Sequence, residues 1–204
     1  MNTDKKKAHA MRQALFAPLL LIPALGGCIN LGLGTSKSPP TLMTLRADSA
    51  PADGSTITGK ADGALSVREP ETDAKLTVLR VPVTIDTSRV AYLKQALWVE
   101  RPSRLFQHVL AETLRARGKQ LVVEGDNGIH GPILSGRLID FGYDAPSGSA
   151  IVRYDAVHQL PDGTTRTHRF EAHVDHVAAT PGEVGPALNH AANQIAKAVA
   201  DWMD

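Results

Sequence analysis

The feature that most limits how this chain can fold is its single cysteine, Cys28, which follows a short apolar run near the N-terminus. One cysteine cannot form an intramolecular disulfide, and it cannot build a cysteine-based zinc cluster. The folded part of the chain must therefore be held together by a hydrophobic core. With 43% hydrophobic residues in a length of 204, the chain can form such a core in one domain, or two at most.

Residues 1–27 have the parts of a secretory signal, in the expected order. A polar stretch with three consecutive lysines precedes an apolar run over residues 14–25, and small residues follow. The apolar run is too short to cross the roughly 30 Å hydrocarbon core of a bilayer as a helix. The sequence therefore predicts a signal peptide and an exported protein.

The residues around the end of this signal resemble a bacterial lipobox. Leu25, Gly26 and Gly27 precede Cys28, and in a lipobox the chain is cut before the cysteine, which then carries diacylglycerol and a fatty acyl group such as palmitate. Each buried acyl CH₂ contributes roughly 0.8 kcal/mol, so two or three chains make a stable anchor. We therefore expect cleavage between Gly27 and Cys28 and lipidation of Cys28. The alternative is an ordinary signal peptide that happens to contain a cysteine.

The residue after the cysteine bears on the destination of the protein. An aspartate at this position tends to retain lipoproteins in the inner membrane, and here the position holds Ile29. The sequence therefore predicts a lipid-anchored protein on the periplasmic face of the outer membrane, in a host that has two membranes.

The charge balance argues against nucleic-acid binding. Four of the 22 basic and one of the 21 acidic residues lie in the predicted signal, which leaves 18 basic and 20 acidic residues in the mature chain. A net charge of −2 offers no general attraction to a phosphate backbone.

The mature chain divides into a tether and a domain. Residues 28–40 are rich in glycine, serine and proline and are expected to form a flexible tether after the lipidated cysteine. Residues 41–204 form the predicted domain, which starts with a short strand over residues 42–45. Within it, residues 46–74 are rich in small and polar residues and are predicted to be a partly disordered insertion.

The rest of the domain alternates between strand and helix patterns. Period-2 alternation around an Asp-Gly turn predicts a hairpin in the second half, and apolar stripes at helical spacing predict two helices. We predict a single α+β domain in which a mostly antiparallel sheet is covered by two helices on one face. Strands are predicted over 76–83, 89–93, 96–100, 120–124, 133–143 and the hairpin 152–175, and helices over 103–117 and 184–202.

The sequence contains no signature of a known catalytic site. It lacks a nucleophile elbow, a zinc-protease motif and a phosphate-binding loop. Histidines and carboxylates cluster over residues 168–176, but alternation along a strand places His173 with Glu171 and Asp175 and places His168 and His176 on the opposite face. We therefore expect a solvated strand face rather than a metal site, and no cofactor.

Three further residues are candidates for contact with a partner. Trp98 is either a core aromatic, which the pattern favours, or a partner contact. Arg115 and Arg117 suit the C-terminal end of a helix, and a role in binding a phosphate or lipid headgroup is the alternative.

Several of these segments, taken together, resemble the ABC-type transport auxiliary lipoprotein family. Its members include the PqiC-like outer-membrane lipoprotein components of MCE-protein systems, which move lipids between membranes. The segments that carry the resemblance are Cys28, the strand 42–45, the junction 98–102 with the helix 103–117, the strand 136–141, the Asp-Gly hairpin, and the alanine-rich helix that ends with Trp202.

The resemblance implies a non-enzymatic role. The chain would assist lipid transport between the inner and outer membranes, with an MCE-family protein and its ABC permease and ATPase as partners. Homo-oligomerisation and direct contact with phospholipid are left open. The alternatives are an outer-membrane assembly or envelope-integrity lipoprotein that binds a β-barrel or peptidoglycan, and a periplasmic enzyme that uses the histidine-rich strand.

Overall fold

The computed structural model describes residues 41–125, 128 and 130–204. Within these residues, eight strands form one mixed sheet and two α-helices pack together on one of its faces, which confirms the predicted α+β domain. The predicted signal, Gly27, Cys28 and the tether lie outside the described residues. The strands are β1 (Leu65–Val67), β2 (Glu71–Thr72), β3 (Arg80–Thr84), β4 (Val90–Leu97), β5 (Val122–Glu124), β6 (Ile133–Asp144), β7 (Ser149–Gln159) and β8 (Thr165–Val174), and the helices are α1 (Pro102–Ala116) and α2 (Pro181–Met203).

The sheet is organised around the long strand β6. On one side β6 pairs with β7, and β7 pairs with β8, and both of these long ladders are antiparallel. On the other side β1, β2 and β3 meet β6 one after another, each parallel to it over two residues. Beyond them, β5 pairs with β1 and β4 pairs with β3. One edge of the sheet is therefore β8, and the opposite edge is shared by β4 and β5.

Both helices bury the apolar stripe that the sequence predicts. The buried stripe of α1 is Leu105, Phe106, Val109, Leu110, Thr113 and Leu114, and that of α2 is Val184, Leu188, Ala191, Ile195 and Val199, followed by the half-buried Trp202. Each helix begins with a proline, whose missing N–H is not needed in the first turn. Gly118 has a φ of 64° just after α1, as is common where a helix ends. The alanines of α2 let the helix approach the sheet closely.

Aromatic rings occupy the centre of the layer between the helices and the sheet. Phe106 of α1 lies between Phe141 of β6 and Tyr154 of β7, with ring centroids 6.4 Å and 5.3 Å away. Trp98 packs edge-on against Phe141 at 5.5 Å. These rings connect α1 to three parts of the sheet, so the core is a single continuous cluster.

The prediction of a disordered insertion over residues 46–74 is wrong for the second half of that segment. Leu65 and Val67 are completely buried in β1, which lies between β5 and β6. The apolar run here is only a few residues long and is surrounded by Ala, Asp, Gly and Ser. A strand this short gives no periodic signal, and its burial depends on neighbours that are distant in sequence.

Three other elements differ in their boundaries. Only the second half of the predicted strand 76–83 is a strand, since a 3-10 helix ends at Leu76 and β3 begins at Arg80. The predicted strands 89–93 and 96–100 fall in one strand, β4, which ends at Leu97 and has an irregularity near Gln95, whose φ is 58°. In β6 the register shifts between Leu138 and Asp140. Regular alternation along the strand would put Ile139 on the same face as Phe141, but because of this bulge Leu138 and Phe141 are the buried pair.

Candidate functional surfaces

The face of the sheet that the helices leave uncovered, which we call the open face, carries a chain of ion pairs. Arg153 of β7 donates hydrogen bonds to Asp140 of β6 and to Glu171 of β8. Lys75 also donates to Asp140, at 2.5 Å, and His173 contacts Glu171. Five charged or titratable side chains from four segments are thus joined, with Arg153 at the centre.

Two more pairs extend this pattern along the open face. Arg169 of β8 binds Asp155 of β7 through two parallel hydrogen bonds of 2.6 Å and 2.7 Å. Arg137 of β6 binds Asp73, which lies just after β2. Cross-strand pairs of this kind follow from the strand register, because Asp155 is opposite Arg169 and Arg153 is opposite Glu171.

Two of these contacts favour the ionised form of a carboxylate. The hydrogen bond from Arg153, followed by the contact with His173, lowers the pKa of Glu171 below its usual value. The hydrogen bond from Arg169 likewise lowers the pKa of Asp155. A carboxyl group that stays ionised at neutral pH is a poor proton donor, so this arrangement suits recognition of charged groups better than general acid catalysis.

A shallow cavity lies over one end of the open face. It has a volume of about 290 Å³, and its charged lining includes Lys75, Asp140 and Arg153 together with Asp86 and Asp144. Both basic groups are already bound to Asp140. A ligand with charges of both signs could enter only by exchanging these ion pairs.

The histidine-rich strand is arranged as the alternation predicts for His168, Glu171 and His173, but β8 ends at Val174, and His176, with a φ of 59°, lies outside the strand. His173 lies on the open face with Glu171, whereas His168 lies on the helix side, where its ring is 4.4 Å from Phe170 and 6.0 Å from Trp202. Asp175 accepts a hydrogen bond from Ser149. Across the part of the chain that the structure describes, no group of three His, Cys, Asp or Glu side chains could hold a metal ion.

The three predicted partner contacts have structural roles. Trp98 is 1% exposed and belongs to the core, so its side chain is not offered to a partner. Arg115 binds Glu112 and Glu124, which joins the end of α1 to β5. Arg117 binds carboxylates at the C-terminal end of α2. Both guanidinium groups are thus engaged by the chain itself.

The N-terminal segment of the domain is tied to α2 by two asparagines that the sequence analysis missed. The side-chain oxygen of Asn193 accepts a hydrogen bond from the backbone of Asp48 at 2.7 Å, and its amide donates to the carbonyl of Arg46 at 2.8 Å. Asn189 accepts a bond from the backbone N–H of Arg46. We call residues 43–48 the strap. Two asparagines four residues apart on an alanine-rich helix were the only signal of this contact.

The strap also joins the sheet. Met43 forms an isolated parallel bridge with Trp98, through hydrogen bonds of 2.7 Å to Leu97 and 2.9 Å from Val99. This is the place of the predicted strand over 42–45, which is a single bridge in the structure. The first described residues of the chain are therefore fixed both to the sheet and to the last helix. No helix within the described residues combines the length and apolar character needed to cross a membrane.

Comparison with known proteins shows relatives of the fold. An uncharacterised protein is similar with a TM-score of 0.63 and 12% identity over 80% of this chain and 100% of its own. A Xanthomonas campestris protein of the DUF330 family has a TM-score of 0.65 and 15% identity over 80% of this chain and 94% of its own. The PelC dodecamer of Paraburkholderia phytofirmans has a TM-score of 0.41 and 14% identity, with 76% and 95% of the two chains covered, a likeness too low to inform on assembly.

These comparisons correct the family assignment made from the sequence. No family model matches the chain, and no curated protein matches it. The assignment to the ABC-type transport auxiliary lipoprotein family therefore does not stand. At 12% and 15% identity, the solved structures show a shared fold and nothing further about what this chain does.

Proposed function

We propose that this chain is a non-enzymatic adaptor, held by a lipidated Cys28 at the periplasmic face of the outer membrane, that assists the transport of lipids between the inner and outer membranes. The observation that carries the proposal is that the chain downstream of the lipobox is fastened to the domain from its first described residues. The strap is hydrogen-bonded to α2 and to the end of β4.

The length of the tether suits this role. Fully extended, residues 29–40 reach roughly 40 Å, at about 3.3–3.6 Å per residue. A domain on such a tether stays at the membrane and still meets a partner that projects across the periplasm. The isoleucine after Cys28, in place of an aspartate, supports sorting to the outer membrane.

The open face supports an adaptor rather than an enzyme. Its arginines, carboxylates and His173 bind one another, and the hydrogen bonds from Arg169 and Arg153 lower the pKa values of Asp155 and Glu171. Such a face can bind a partner by exchanging ion pairs at its surface. An enzyme would need a nucleophile or a base whose pKa is brought near neutrality.

The energy for lipid transport would come from a partner. We propose that the domain docks an MCE-family protein, whose ABC permease and ATPase lie in the inner membrane. Lipid moves through that complex, and the adaptor fixes its outer end beside the membrane that delivers or receives the lipid.

Two experiments in the native host test the proposal. The variant Cys28→Ser should move from the outer-membrane fraction to the soluble periplasmic fraction and fail to complement a deletion strain, whereas Thr167→Ser, a conservative change on the exposed far edge of the sheet, should behave like wild type. Unchanged fractionation and function of Cys28→Ser would overturn the anchor.

Crosslinking followed by mass spectrometry identifies the partner. Capture of an MCE-family protein, with altered outer-membrane lipid balance and detergent sensitivity in the deletion strain, is the expected result. Crosslinks to a β-barrel protein or to peptidoglycan instead, with normal lipid balance, would favour an envelope-integrity protein.

A further inference from the structure

Four large aliphatic side chains are exposed together at the end of the domain where the tether enters. Leu42, Val78, Leu79 and Val99 are 52%, 38%, 43% and 49% exposed. We call these four residues the tether-side patch. Single exposed apolar residues need no explanation, but a cluster of them is typical of a surface that binds another protein or a membrane.

Backbone hydrogen bonds bring together the three chain segments that carry these residues. Met43, next to Leu42, bonds to the backbone on both sides of Trp98, and the N–H of Trp98 donates to the carbonyl of Leu79 at 2.8 Å. Three chain segments thus run together at strand spacing, about 4.8 Å apart. Because the side chains of Trp98 and Met43 point toward the core, alternation turns Leu42 and Val99 outward.

The uncompensated charge beside the patch is positive. Arg80 follows Leu79 directly and lies over the ring of Tyr92, and Lys94 is exposed on β4. Among the described residues, neither cation has a carboxylate partner, whereas most cations of the open face are paired. Other arginines near Val99 are neutralised, since Arg101 binds Glu69 and Arg104 binds Glu100.

We propose that the tether-side patch docks onto the bilayer that holds the anchor, with Arg80 and Lys94 against anionic headgroups. This inference rests on the proposed lipid anchor. The patch begins with Leu42, at the point where the tether from Cys28 meets the fold, so a membrane that holds the acyl chains is the nearest surface available. The patch is aliphatic and lacks the Trp and Tyr that dominate protein-binding hot spots. Peripheral membrane proteins bind a bilayer in this way, with apolar side chains about 5–10 Å deep in the headgroup region and basic groups beside them.

Fluorescence of the full-length lipoprotein in vesicles tests the proposal. Because lipidation consumes the thiol of Cys28, a cysteine introduced by Val99→Cys is the only site for an environment-sensitive dye, and Thr167→Cys on β8 is the matched control. The vesicles contain phosphatidylethanolamine and phosphatidylglycerol, with or without brominated acyl chains. We expect the dye at position 99 to shift to the blue and to lose emission with brominated lipid, and the dye at position 167 to do neither.

Two variants sharpen the result. Adding Leu42→Ser and Leu79→Ser to the labelled Val99→Cys protein should abolish the quenching, and Arg80→Glu with Lys94→Glu should reduce it in vesicles with phosphatidylglycerol. Equal quenching at positions 99 and 167, or at neither, overturns the proposal. A blue shift that follows protein density and not brominated lipid also overturns it, in favour of a second copy of the chain as the occupant.

The failure of the anchor gives a different result. A protein that does not co-sediment with the vesicles has no lipid on Cys28, and this outcome overturns the proposed function together with the docking. A protein that co-sediments but shows no quenching at position 99 keeps its anchor and overturns the docking alone.

Discussion

Strand β7 places Val152, Tyr154 and Ala156 beneath the helices and Arg153 and Asp155 on the open face. On the helix side the contacts are apolar and exclude water, and the hydroxyl of Tyr154 donates its hydrogen bond to the carbonyl of Ser135 at 2.7 Å. Burial raises the pKa of this hydroxyl. On the open side, Arg153 and Asp155 instead form charged hydrogen bonds that are partly exposed to water.

Because the helix side is apolar and the open face is charged, the two faces contribute differently to stability and recognition. Burial of apolar surface contributes roughly 25 cal/mol per Å² and does not depend on direction, so the helix side fixes the fold. Ion pairs that are partly exposed contribute about 0–1 kcal/mol each. A partner can therefore rearrange the open face at little cost in stability, which is why we place recognition there.

The largest effect should come from the middle of the helix side. Phe106→Ala removes a fully buried ring that touches Phe141 and Tyr154, and we expect a loss of about 3–5 kcal/mol in the free energy of unfolding. Urea unfolding followed by circular dichroism measures this loss. Val90→Ala, at an exposed position of β4, should cost less than about 0.5 kcal/mol. Equal losses in the two variants would contradict the division between the faces.

A smaller effect should come from the strap, which is held by the buried side chain of Asn193. Asn193→Ala removes the bonds to Asp48 and Arg46 and leaves two backbone groups without partners, so we expect a loss of about 1–3 kcal/mol. Hydrogen exchange at the amide of Asp48 should become faster. Asn189→Ala, which removes a single bond, is the control and should have the smaller effect. Unchanged exchange at Asp48 in Asn193→Ala would mean that the strap is held by Met43 alone.

The helix side could be predicted because its pattern is local. The positions of Leu105, Phe106, Val109 and Leu110 repeat with the period of a helix, and a stripe of this length fits only one arrangement against a sheet. The buried strand β1 could not be predicted, because three residues carry no period and the partners that bury them come from distant parts of the chain.

The candidate surfaces were predicted only in part for the same reason. Alternation placed His173 beside Glu171, since both lie on one strand. The link from Glu171 through Arg153 to Asp140 joins three strands and depends on the bulge near Ile139, which shifts the register of β6. The location of Trp98 also depends on packing between distant segments. From the sequence alone, a tryptophan at the end of a strand can lie in the core or on the surface.

The next smaller effect is the coupling energy of an ion pair on the open face. A double-mutant cycle with Arg153→Met and Glu171→Gln should give a coupling energy of about 1 kcal/mol or less, because both side chains are partly exposed. The coupling should weaken further in 1 M salt. The folded pKa of Glu171 lies below its unfolded value of 4.5, so this stabilisation is present above that pH and is lost as the pH falls. A coupling as large as the loss in Phe106→Ala would show that the open face also fixes the fold.

The smallest effect concerns His158, a titratable side chain that is buried on the helix side of the sheet. His158 lies on the helix side of β7 and is 6% exposed, and its Nδ1 has no hydrogen-bond partner among the residues that the structure describes. Trp202 packs edge-on against its ring at 6.0 Å. Burial, and then the charge of Arg166, lowers its pKa below the ordinary value of 6.5. The unfolded chain therefore binds a proton at a higher pH than the folded chain, so the stability is fully present above about pH 6.5 and declines as the pH falls below it.

His158→Phe keeps an aromatic ring against Trp202 and cannot titrate, so urea midpoints between about pH 7.5 and pH 5 should fall less in this variant than in wild type. The same decline in both proteins would show that other groups cause the pH dependence and that protonation of His158 does not lower the free energy of unfolding.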